Sequence, residues 1–203
     1  MPRPRSLTPT AIATAALAVI DRDGLSALTM RAVAKELHMA TMSLYRYVST
    51  RDELELLVVD LVLADIDISL PPSKDWRTRV TILLDRMRAA ISAHSAVVPL
   101  VPRHRKSSPA TLRWMNTMLS VLADAGFAGR DQVIAQRTVV AYLLGFLENE
   151  HYASISGAAT AAIAQLPTTD YPFLIQTAAL AHTMSADDEF RGGVEIVLRG
   201  LQP

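Results

Sequence analysis

The stretch TMRAVAKELHMATMSLYRYVSTRDEL, residues 29–54, decides the fold of this chain. Its apolar side chains recur at helical spacing: Met30, Val33, Ala34 and Leu37 share one face, and Leu44 and Val48 share another. Thr29 stands where a side-chain oxygen caps a helix N-terminus, and His38-Met39 marks a turn before a second short helix over 40–47. Two helices of about eight residues joined by a tight turn have helix-turn-helix spacing. Ser49 and Thr50, each followed three residues on by an acid (Asp52, Glu53), form a capping box. It opens a further helix striped by Leu54, Leu57, Val58 and Leu61 and predicted to fade near residue 68.

The second short helix carries Thr41, Met42, Ser43, Tyr45, Arg46 and Tyr47. An element of that size fits a DNA major groove about 12 Å wide, with its leading side chains at base edges. Residues 1–51 hold seven Lys or Arg against three acids, whereas the whole chain balances 20 basic against 20 acidic residues. A local positive field with short hydroxyl donors is what phosphate contact requires. A solvated helical surface is the plain alternative, and charge alone does not exclude it.

Working outward, Thr8 caps a helix with Pro9 at its first position, and Ile12, Ala16, Val19 and Ile20 form its apolar face before Asp23-Gly24 ends it. Arg3 and Arg5 ahead of the apolar residues 11–20 superficially resemble a signal peptide. The run is Ala-rich, lacks a cleavage pattern and leads into Asp21, Arg22 and Asp23, so a helix is predicted. The longest clean apolar stretch, 139–147, falls short of the ~20 residues of a spanning helix, so no membrane association is expected. The absence of cysteine removes disulfides, thiolate metal sites and thiol nucleophiles, and makes a cytoplasmic location the expectation. With 50% apolar and 20% charged residues the chain has a globular composition.

Residues 69–74, with Pro71-Pro72, break the helical pattern and set a predicted boundary between domains 6–66 and 67–203. Asp75 caps a long helix over 76–95. Pro99, Pro102 and Pro109, around the basic run 103–106, make the next stretch a short helix or loop. Further helices are expected over 109–125, 129–154, 173–182 and, capped by Ser185 with Asp188 three residues on, 186–201. The count is nine or ten helices without a convincing strand, which is an all-α fold.

Leu28-Thr29-Met30-Arg31-Ala32-Val33-Ala34, then Leu44-Tyr45-Arg46-Tyr47-Val48, then Arg51-Asp52-Glu53-Leu54 closely resemble, in order and spacing, the TetR family of repressors over residues 7–65. Trp76-Arg77, Ala125-Gly126-Phe127 and Leu144-Gly145-Phe146-Leu147-Glu148 are similar to the tetracycline-repressor branch of that family. The resemblance implies an N-terminal three-helix helix-turn-helix DNA-binding domain and a C-terminal helical ligand-binding and dimerisation domain. It also implies a ligand-responsive repressor, bound as a homodimer to near-palindromic double-stranded DNA and released by a small apolar effector. Residue by residue it places Thr29 and Arg31 at phosphate or base, and Thr41, Met42 and Ser43 at the leading edge of the recognition helix. Tyr45, Arg46 and Tyr47 then hold phosphates or base edges, and Arg51 stands where the family commonly has Lys. Leu44 and Val48 face the core. His38 replaces the usual turn Gly, and His is among the residues that tolerate positive φ.

Dimerisation is expected from helices 132–152 and 186–201, paired with their symmetry mates as a four-helix bundle. Val139, Val140, Leu143 and Phe146 on one, with Val194, Val197 and Leu198 on the other, exceed one monomer face. An internal core is the alternative. Met87, His94, His104, Trp114, Met115, Met118, Tyr142 and Phe146 are the candidate lining of an apolar effector pocket, although each alone also suits ordinary core. In the tetracycline-repressor branch a loop His holds the drug's magnesium. Here Val101 falls near that position and His104 three residues later, so tetracycline is not the expected effector.

No cofactor or resident metal is expected, and two other classes compete. An enzyme is suggested by Glu148 and His151, a Glu-x-x-His pair of the kind di-iron bundles carry twice, but no other His has Glu three residues before it. No Gly-rich phosphate loop, HExxH or GxSxG occurs. A purely structural helical protein explains the fold but gives the Tyr-Arg-Tyr cluster no reason.

Overall fold

The computed structural model describes residues 7–72 and 75–203, so Arg3, Arg5 and Lys74 lie outside the described residues. Among the described residues there are eleven α-helices, two short 3-10 segments and no strand. None of these helices is long and apolar enough to cross a membrane.

Helix α1 (Pro9–Asp23) begins where Thr8 Oγ1 accepts the Ala11 amide at 3.1 Å, and ends at Gly24, whose φ of 82° carries the chain out of the helix. Its buried face, Ile12, Ala16, Val19 and Ile20, is the one read from periodicity. Helix α2 (Met30–Glu36) is capped by Thr29 Oγ1 on the Ala32 amide, and the following turn puts His38 at φ 53°. Helix α3 (Thr41–Leu44) is shorter than the eight residues expected over 40–47. Beyond Leu44 the ladder tightens to three-residue bonds, Arg46 N–H to Ser43 O at 3.4 Å and Tyr47 N–H to Leu44 O at 2.9 Å. The chain must then reach Thr50 in extended geometry to cap the next helix, which limits α3. Helix α4 (Arg51–Ala64) opens with Thr50 Oγ1 accepting the Glu53 amide, while the Glu53 carboxylate reaches back to Ser49 N–H at 2.6 Å. It stops before residue 68 because Asp67 turns the chain, accepting from Ser69 N–H and Oγ and from Arg86.

Helix α5 (Trp76–Ser92) is followed by a 3-10 segment (Ser95–Leu100), then α6 (Val101–His104), α7 (Pro109–Asp124) and α8 (Gly129–Tyr152). Helices α9 (Ala158–Ile163), α10 (Pro172–Ala181) and α11 (Ala186–Gly200) complete the chain, bringing the count above the nine or ten expected. The Gly/Ala-rich piece supplies the extra one.

Packing does not divide the chain at one position. Among the described residues, one compact unit joins 7–69 with 85–117, and the other joins 70–72 and 75–84 with 118–203. Residues 85–117, placed by sequence in the domain 67–203, therefore pack with the helix-turn-helix. In the first unit α1 lies against α2 and α4, and α6 and the preceding 3-10 segment lie against α4.

In the second unit α8 packs on α11. Val139, Val140, Leu143, Phe146, Val194 and Leu198 are all buried within the single chain, and Val197 is half-buried. The dimer residues expected from sequence are thus internal core, because the two helices satisfy each other. Other apolar side chains of this unit are exposed, among them Val133 and Ile134 on α8, Phe173 and Leu180 on α10, and Ile196 on α11. Trp76 meets Phe127 edge-on at 5.2 Å between centroids, and the Arg77 guanidinium lies 4.5 Å from the Trp76 ring centroid.

Asp75 starts α5 by accepting from the Arg77 and Thr78 amides and from the Thr78 hydroxyl. The Thr78 side chain first, then these amides and the Arg77 charge, hold its carboxyl below the usual range against the opposing effect of burial. A depressed folded-state pKa contributes stability that is complete above the unfolded value of about 3.9 and is lost as pH falls through the folded value. Asp75→Asn is therefore expected to reduce the fall in stability between about pH 5 and pH 2, read by denaturant melts at each pH. A wild-type slope retained in that variant would assign the acid sensitivity elsewhere.

Candidate nucleic-acid interface

The recognition segment is anchored by two side chains. Leu44 and Val48 are 0% and 2% exposed, and their burial turns the rest of residues 41–47 outward. Met42 is 75% exposed, Tyr45 44% and Tyr47 47%, with Arg46 exposed between them. Thr41 and Ser43 are half-buried at its start. Large apolar or aromatic side chains held in water on so short an element gain nothing for the fold, whereas a thioether, two phenols and a guanidinium suit base edges and phosphates. Tyr47 also lines a cleft of about 250 Å³ together with Ile12, Val48, Leu56 and Leu57.

The flanking residues differ in how free they are. Thr29 uses a lone pair on the Ala32 amide, which leaves its O–H to donate, and Arg31, the second residue of α2, is exposed. Arg51 is committed inward, giving Nε to Glu55 Oε1 at 2.8 Å and a terminal nitrogen to Leu25 O at 3.2 Å. Arg22 pairs with Asp23 and Glu36 at 3.0 Å each, and their hydrogen bonds raise its pKa further.

Behind this surface α4 is tied to the segment that follows α5. Glu55 Oε2 meets His104 Nε2 at 3.2 Å, both residues 4% exposed. Asp60 Oδ1 accepts from Ser108 Oγ and the Ala110 amide, both at 2.8 Å, and so holds the start of α7. His94 Nδ1 lies 2.8 Å from Asp21 Oδ2 on α1. The two histidines expected to line a pocket are thus bonded to carboxylates of α1 and α4. Sequence reading missed Glu55, Asp60 and Asp21; the only local signal was an acid on the apolar side of α4. Of the other candidate pocket residues, Met87 and Trp114 are buried and Met115 half-buried in the first unit, and Met118 and Phe146 are buried in the second. Tyr142 has a packing role in the second unit: its hydroxyl donates to Phe190 O at 2.9 Å and its ring stacks on Phe190. Glu148 and His151 are exposed, as a solvated helix end should be.

Residues 12–56 match the model for bacterial regulatory proteins of the tetR family, and residues 69–203 match the tetracyclin repressor-like C-terminal domain. The chain belongs to the TetR family. A curated HTH-type transcriptional regulator of Saccharopolyspora erythraea is 29% identical over 144 residues, which are 71% of this chain and 61% of that protein. The chain thus spans about three-fifths of that relative's length. The class D tetracycline repressor protein of Escherichia coli is 26% identical over 93% of this chain and 86% of its own. Among solved structures, the TetR family protein ActR of Streptomyces coelicolor, in complex with (S)-DNPA, superposes with a TM-score of 0.83 at 26% identity, covering 96% of each chain. Both matched models are those of regulator families, and the relative from Saccharopolyspora erythraea carries the name of a transcriptional regulator.

Proposed function

We propose that this regulator is a cytoplasmic repressor that grips a near-palindromic operator as a homodimer and leaves it when a small apolar effector binds. The observation that carries the reading is the exposure of Met42, Tyr45, Arg46 and Tyr47 around the buried Leu44 and Val48. Thr41 and Ser43 complete the base-reading edge, Thr29 and Arg31 hold phosphate or a neighbouring base, and Arg51 orients α4. One such helix reads only a short half-site, so a two-fold dimer doubles the contact. The exposed Val133, Ile134, Phe173, Leu180 and Ile196 are the apolar material for it. The complex of ActR with (S)-DNPA supports the presence of an effector site here.

Release runs through α4, whose Glu55 and Asp60 hold His104, Ser108 and the Ala110 amide. An effector that favours one position of α6 and the start of α7 moves α4 with them, and with α4 the recognition segment. The test is selection of fragments from a genomic DNA pool by the purified full chain, followed by affinity against salt. A palindrome is expected, with affinity falling steeply between about 50 and 200 mM salt. Recovery of no sequence by a folded, dimeric protein would refute the operator reading.

A further inference from the structure

Asp52, Glu55 and His104 each offer a ligand atom, and these atoms lie within 4.8 Å of one another. The two carboxylates are three residues apart on α4, and the imidazole comes from the last residue of α6, all inside the first compact unit. His104 Nε2 is 3.2 Å from Glu55 Oε2 and 3.8 Å from Asp52 Oδ1. A tetrahedral ion with bonds near 2.0–2.1 Å needs donor atoms roughly 3.3–3.4 Å apart, so only Asp52 has to move, and its exposed side chain is free to do so. Arg51 holds the other Glu55 oxygen at 2.8 Å, which fixes the carboxylate with Oε2 toward His104, as an outer-shell donor does in metal sites.

The local cations decide how tightly such a site binds. Arg51 cannot leave without uncovering Glu55. Arg103 lies 3.8 Å from Glu55 Oε2 with its side chain 68% exposed, and can turn into solvent when a cation takes its place. With Arg103 displaced, two carboxylates and a neutral imidazole face one fixed guanidinium. One nitrogen and two oxygens without a thiolate suit zinc-class divalent ions better than copper(I), and a three-ligand set offers too few oxygens for calcium.

We propose that Asp52, Glu55 and His104 form a binding site for a divalent transition metal of the zinc class, which joins α4 to α6. The site stands on its own geometry; its effect on DNA release rests on the function proposed above, through the same α4. The ion replaces the hydrogen bond between Glu55 and His104 with bonds to both, and draws the exposed Asp52 into the same cluster.

The full chain is titrated with Co²⁺ alone, without DNA, and then with Zn²⁺. One Co²⁺ per chain with visible absorption of a four-coordinate ion, bleached by Zn²⁺, is expected. Asp52→Ala removes an exposed ligand and leaves the fold intact by circular dichroism; it should weaken binding by at least ~10-fold. Arg103→Ala removes the competing cation and should tighten binding. Absence of stoichiometric Co²⁺ binding, or binding indifferent to both substitutions and therefore located elsewhere, overturns the site. Failure to select an operator with Co²⁺ binding intact would overturn the DNA reading and leave the metal site standing.

Discussion

Gly193→Ala should destabilise the protein by about 1–3 kcal/mol, the opposite sign to what helix propensity gives. A glycine replaced by alanine inside an exposed helix ordinarily gains about 1 kcal/mol. Here a Cβ would lie 2.1 Å from the Tyr142 hydroxyl oxygen and 2.5 Å from Cζ. The ring has little room to give way, since it stacks on Phe190 at 6.0 Å and its hydroxyl donates to Phe190 O at 2.9 Å. Overpacking costs about 1–3 kcal/mol and the lost hydrogen bond about 0.5–1.5, which together outweigh the propensity gain. Urea unfolding of four proteins tests this: wild type, Gly193→Ala, Tyr142→Ala and the double variant. In the Tyr142→Ala background the alanine should be neutral or stabilising. An equal cost in both backgrounds would mean that Tyr142 is not what excludes a side chain at 193.

The other large effect is on DNA. Arg46→Ala should weaken operator binding by about 10- to 100-fold, or 1–3 kcal/mol, with the thermal midpoint unchanged because the side chain is exposed. Leu44→Ala, two residues earlier, should instead lower stability by about 2–5 kcal/mol, because that side chain is 0% exposed. Loss of helicity in the Arg46 variant would return the segment to a core role. If Arg46 holds a phosphate, loss is uniform across operator variants and the salt slope falls by about one; if it reads a base, one operator position loses its preference.

The helix ends were legible because capping is local chemistry. Thr8, Thr29, Thr50 and Ser185 each accept the amide three residues on, as side-chain type and spacing imply. The positive φ of His38 was foreshadowed by the family resemblance, which has Gly at that turn position. Contacts between distant segments were not. His104 and Glu55 are 49 residues apart, and His94 and Asp21 are 73 apart, with no motif linking them. The apolar faces of α8 and α11 were visible as faces, but periodicity shows that a stripe is covered, not by what; the chain covers Val139 and Val194 itself. The length of α3 escaped because the need for an extended Thr50 outweighs the helical pattern of 40–47.

That the first unit is assembled from two separated stretches bears on how this protein can be re-engineered. A chimera made by exchanging only the N-terminal residues up to 66 would hand the recipient a Glu55 and an Asp60 whose partners, His104, Ser108 and the Ala110 amide, come from another protein. A buried carboxylate at Glu55 and a half-buried one at Asp60, both stripped of their donors, are costly. An operator specificity transplanted into a relative should therefore travel with residues 85–117.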